Sequence, residues 1–172
     1  MGITYRCQRW QRSECNMQRV NNLEELAYVL KADFSQYDTD KRTEHAGIRL
    51  DSAVSKVAQA IKQGDRSAVF LGYSLLMEDP HLPFGKILKS NLARALKRHI
   101  ELLTEQEKIS LAGKTATLLS LQFCPREVED YCRLVKKMGH PIADDVIAMS
   151  RPINEKAQSL LAYLGTPEPK EC

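Results

Sequence analysis

At 172 residues, with 43% hydrophobic and 27% charged residues, the chain can build one domain with its own core and is too apolar to be intrinsically disordered. Its 8 Gly and 7 Pro exclude a collagen-like or low-complexity chain. The formal net charge of +3 is too small to mark a nucleic-acid binder by itself, and residues 1–20 account for all of it, with Arg6, Arg9, Arg12 and Arg19 against Glu14.

From Asn22 onward apolar residues recur at helical spacing. Leu23, Leu26, Ala27, Leu30 and Phe34 follow Asn22, and Glu25 three residues on makes a capping box. Ala46, Leu50, Ala53, Val54, Val57, Ala58 and Ile61 form the stripe of a second helix, stopped by Gly64. Asp65–Ser67 caps a short helix through Met77, ended by Pro80. Pro83 suits a first helical turn, and Ile87, Leu88, Leu92, Ala95, Leu96, His99, Ile100 and Leu103 predict the longest amphipathic helix behind it. Its residues Leu92, Leu96 and Ile100 are expected to face the stripes of 112–119 and 128–135.

Thr104 and Glu107 form another capping box, opening a helix through Leu121 with Ile109, Ala112, Ala116, Leu119 and Ser120 on one face. Pro125 starts the next, carrying Val128, Tyr131, Cys132, Val135 and Met138 up to Gly139. A short helix over Ile142–Met149 and one from Pro152 to Leu164, closed by Gly165, complete the set. No stretch alternates with period two, so no sheet is expected. The reading is all-α: seven or eight antiparallel amphipathic helices, as an irregular bundle or a short HEAT-like stack of helical hairpins. Residues 1–21 read as a basic N-terminal arm, 22–165 as a single helical domain and 166–172 as a flexible tail.

The longest apolar runs, such as Ala68–Leu71, fall far short of the ~18 residues a membrane span needs. Met1–Val20 has no apolar stretch of signal-peptide length, and the five cysteines (Cys7, Cys15, Cys124, Cys132, Cys172) are odd in number and scattered. Reduced thiols in the cytoplasm are therefore expected.

No phosphate-cradling glycine loop, nucleophile elbow, HExxH or CxxC occurs. Cys124, Cys132 and His140 stand eight residues apart, about 12 Å along a helix and too far for one ion, so no metal or other cofactor is expected. Glu78, Asp79 and His81, and His140 with Asp144 and Asp145, are the sets from which acid–base chemistry could be built if folding converged them. Loop solvation and first-turn dipole pairing explain the same residues without chemistry. His99, inside an apolar stripe, reads as a core histidine.

Positive charge is the remaining signal. Lys86, Arg94, Lys97 and Arg98 span about 120° of the 83–103 helix opposite its apolar face, with Lys89 at the margin. In the arm Arg6, Arg9 and Arg12 interleave with Trp10. These eight residues, Lys86, Arg94, Lys97, Arg98, Arg6, Arg9, Trp10 and Arg12, are the candidate partner-binding set. The expectation is a non-enzymatic protein–protein interaction module, an adaptor, inhibitor or regulatory subunit. The alternatives are a nucleic-acid-binding regulator using the arm and the basic face, and a helical enzyme built on dispersed His and acidic residues.

Overall fold

The protein is described by a computed structural model covering residues 19–38 and 45–167. It contains eight α-helices: α1 (Leu23–Leu30), α2 (Ala46–Lys62), α3 (Arg66–Glu78), α4 (Gly85–Leu96), α5 (Glu105–Leu119), α6 (Val128–Lys137), α7 (His140–Met149) and α8 (Glu155–Gly165), with a 3-10 segment over Lys97–Leu102. There is no strand among the described residues, only an isolated bridge between Arg19 and His81. The all-α expectation holds.

The predicted caps are where the sequence puts them. The Asn22 side chain accepts from the Glu25 amide at 2.8 Å while Glu25 Oε2 accepts from the Asn21 amide at 2.7 Å. Asp65 accepts from the amides of Ser67 and Ala68. Thr104 and Glu107 close a reciprocal capping box. Gly64 takes up a φ of +82° directly after α2, a conformation that ends a helix cheaply only for glycine.

Several boundaries differ. Helix α1 stops at Lys31 in the left-handed region, so Phe34 is buried from the following loop and not from the helix. The proline starts fall early: α4 begins at Gly85, α6 at Val128 and α8 at Glu155 behind an Asn154 cap. The long helix expected to run to Leu103 breaks after Leu96. It tightens into the 3-10 segment, where His99 departs from helical geometry (φ −130°, ψ 47°). Val20 is fully buried and its amide donates to the His81 carbonyl at 3.0 Å, so the folded unit begins before residue 22. At the other end Thr166, assigned to the tail, accepts from the buried Lys136 ammonium at 2.5 Å. Lys136 also donates to the Tyr163 carbonyl at 2.7 Å and lies 4.0 Å from the Tyr163 ring centroid, clasping the end of α8 to α6.

The substantial helix contacts join elements one or two places apart along the chain. The helices therefore fall into two layers, α2, α4, α6 and α8 in one and α1, α3, α5 and α7 in the other. Leu50, Val54, Ile61, Leu75, Leu92, Leu96, Leu111, Leu119 and Tyr131 fill the space between them. Helix α4 packs on α6, one of the two partners expected for its stripe, and on α2 and α3 in place of the other, α5. Ile100, on the 3-10 segment, is only half-buried, because the change of pitch rotates it out of the α4 stripe.

Cys132 lies fully buried on the inner face of α6 with Cys124 close by, and burial pushes its thiol up to about 12. At pH 8 only about one molecule in ten thousand then carries the reactive thiolate there. Iodoacetamide at pH 8 should leave the peptide containing Cys132 unmodified in the native protein and label it fully after denaturation, as read by peptide mass mapping. Native labelling at the denatured rate would contradict the packing of α6.

Candidate interaction cleft

Layering brings the α3–α4 and α5–α6 links to the same end of the molecule. Between them opens a cleft of about 910 Å³, walled by the 79–85 link, the outer side of α4, the end of α5 and the link leading into α6. Four large apolar side chains line it while facing solvent: Phe84 (71% exposed), Ile87 (63%), Phe123 (72%) and Leu121. Scattered exposed apolar residues are ordinary, but a cluster at one concavity is not.

Phe84 reaches this position at a backbone cost. It is the residue before α4 and sits in the left-handed region (φ 54°, ψ 18°), which costs a non-glycine residue roughly 1–2 kcal/mol. Gly85 next to it is buried, and a Cβ there would come 3.3 Å from Leu82 Cβ, so the turn is tight on the inside and presents the phenyl ring outward.

The electrostatics of the cleft are layered. Lys86 and Arg126 stand exposed on its rim, and no acidic side chain among the described residues pairs with either. Deeper, the buried Lys89 is paired with Asp79, which also accepts from Lys114 at 3.1 Å. Arg94 donates to both carboxylate oxygens of the buried Asp130, each at 2.9 Å, joining α4 to α6. At the bottom lie Glu127 and Tyr131, one helical turn apart.

The predicted site residues separate. Lys86 and Arg94 line the cleft, but Arg94 is held by Asp130 and Lys89 is interior instead of marginal. Lys97 and Arg98 lie on the 3-10 segment outside the cleft, so the basic face expected on one straight helix is split between two elements. Arg6, Arg9, Trp10 and Arg12 lie outside the described residues. Of the acid–base sets, Asp79 is engaged by lysines and His81 edges the cleft. Asp144 and Asp145 are exposed in the middle of α7, not in its first turn. His99 is no core histidine: it is part-exposed, with Nε2 3.1 Å from the Lys62 carbonyl and Nδ1 3.1 Å from Glu101. No group of three potential metal ligands occurs among the described residues.

The residues missed in the sequence are Phe84, Leu121, Phe123, Glu127 and Tyr131 as cleft residues, and Ile87, read as core. A signal for two of them existed: Phe84 and Phe123, half of the four phenylalanines, fall in interhelical links where burial is not expected. Compared with known proteins, the chain matches no family model, no curated protein and no solved structure. No helix among the described residues is long and apolar enough to cross a membrane.

Proposed function

We propose that the chain is a non-enzymatic protein-interaction module whose cleft receives a segment of a partner protein bearing apolar anchors and acidic flanks. The observation that supports it most is the gathering of Phe84, Ile87, Leu121 and Phe123 at one concavity rimmed by unpaired Lys86 and Arg126. Apolar anchors entering such a wall supply the free energy of binding, and rim charges supply orientation and the rate of encounter. Acidic flanks are chosen by charge, because lining cations outnumber lining acids and Asp79 is already neutralised by its lysines.

The test is selection from a displayed library of random peptides, followed by affinity measurement. Peptides with spaced apolar residues and Asp or Glu on either side should be enriched. Lys86→Glu with Arg126→Glu should weaken them about five- to tenfold at low salt, as expected for two exposed pairs. Enrichment of basic or featureless peptides would sink the reading.

Phe84 supplies a sharper variant. Phe84→Gly relieves the left-handed backbone while adding freedom to the unfolded chain, so the two effects nearly cancel and stability should change by less than about 1 kcal/mol. Binding of selected peptides should nevertheless fall at least about tenfold, since an aromatic anchor contact is lost. Unchanged binding by the glycine variant would remove Phe84 from the docking surface.

A further inference from the structure

The clasp at the end of α8 holds a charge without a counter-charge. Two lysines are buried among the described residues. Lys89 is paired with Asp79, whereas Lys136 meets no acidic side chain there. Its contacts are the Tyr163 carbonyl at 2.7 Å, the Thr166 hydroxyl oxygen at 2.5 Å and the Tyr163 ring, all neutral. A buried ammonium ordinarily has an anion beside it, and the negative pole of α8 offsets the charge only in part. The hydroxyl that Lys136 touches belongs to an exposed threonine, a group that phosphorylation turns into an anion.

Thr166 also stands where a modifying enzyme can take hold of it. It caps α8 with extended backbone angles (φ −77°, ψ 140°), and Gly165, Thr166 and Pro167 are all exposed. Thr166–Pro167 is the one place in the sequence where a hydroxyl residue precedes proline, which keeps the threonine out of the helix. The exposed hydroxyls of Thr117 and Ser159, by contrast, lie within helices and donate to the carbonyls of Gly113 and Glu155. We propose that Thr166 is a phosphorylation site and that Lys136 receives its phosphate. A protein kinase transfers the γ-phosphoryl group of a nucleoside triphosphate to Thr166 Oγ1. A P–O bond forms there, the bond from phosphorus to the bridging oxygen breaks, the nucleoside diphosphate leaves and the hydroxyl proton passes to the kinase's base. The phosphate then places about −1.5 to −2 charges and three acceptor oxygens on the atom that Lys136 already touches. The hydroxyl's bond to the Tyr163 carbonyl, 2.7 Å long, is lost, and negative charge arrives at the carboxyl end of α8. A charge-assisted bond to Lys136 outweighs both losses and turns the clasp into an ion pair.

The test incubates the full chain with a proline-directed Ser/Thr protein kinase and magnesium ATP, and locates the phosphate by peptide mass mapping. Thr166 should carry most of it, and Thr166→Val should lose that share. In the phosphorylated protein, hydrogen exchange of the last-turn amides of α8 should slow about three- to tenfold, the surplus of a charge-assisted bond over repulsion at the helix end. Lys136→Met, compared with its own unphosphorylated form, should respond in the opposite sense, because the dianion then meets only the negative pole of α8. Phosphorus NMR of the wild type gives a reading that does not depend on a variant's folding. Its phosphate should titrate at a lower pH than the same phosphothreonine in a free peptide of residues 160–172, since a neighbouring cation favours the dianion. Phosphate on Thr117 or Ser159 in preference to Thr166, or none on Thr166, would overturn the site. Faster exchange in the phosphorylated wild type, or a titration that matches the free peptide, would overturn Lys136 as its receiver.

Discussion

Truncation of Leu96 to alanine is expected to lower the free energy of unfolding by about 2–5 kcal/mol, the range for deleting a buried leucine and leaving part of the cavity unfilled. Leu96 is fully buried at the last residue of α4, which packs on α2, α3 and α6 at once. Because α4 is packed on three helices along its length, it cannot shift to fill a void at its end without losing its register on them. The upper half of the range is therefore expected, a large share of a domain's usual 5–15 kcal/mol. Urea denaturation followed by circular dichroism measures it, and a change below about 0.5 kcal/mol would mean that α4 is rotated from the orientation described.

The second large effect belongs to the Arg94–Asp130 pair. Asp130 is almost completely buried, and Arg94 meets both its oxygens in the fork geometry that suits a guanidinium. Arg94→Met keeps the aliphatic packing but leaves a buried carboxylate with only Arg133, 3.6 Å away. Breaking a buried pair costs about 3–5 kcal/mol, and since Arg94 is itself half in solvent a loss of about 2–3 kcal/mol is expected. The double change Arg94→Met with Asp130→Leu should recover most of it, because no charge is then stranded. If the single and double variants are equally destabilised, the loss comes from packing and the ion pair contributes little.

What the sequence disclosed, and what it did not, follows from the range of the interactions. Caps and stops are local, which is why Asn22–Glu25, Asp65, Thr104–Glu107 and Gly64 could be read directly from residues a few places apart. Stripes place most of the core, including Leu88, Leu92 and Leu96. Periodicity, however, cannot report a change of helical pitch, and the break after Leu96 therefore displaced Ile100 and split the basic face. Ile87 belongs to the apolar stripe by spacing, yet it faces solvent because the neighbouring position across the layer is a cleft and not a helix. The cleft itself joins links some forty residues apart. Lys86 and Arg94 could be singled out by charge, but Arg94's partner, Asp130, is thirty-six residues away and no local pattern names it.

The lysine clasp on α8 changes what kind of end the described fold has. A last helix ordinarily opens independently of the body of a domain. Here, lifting the final turn of α8 would strip the buried Lys136 ammonium of a carbonyl, a hydroxyl and an aromatic face together. Opening at that end therefore gives up contacts made by α6, from which Lys136 projects. The last helix is therefore tied to the element that floors the cleft, and the two should gain and lose protection from hydrogen exchange together.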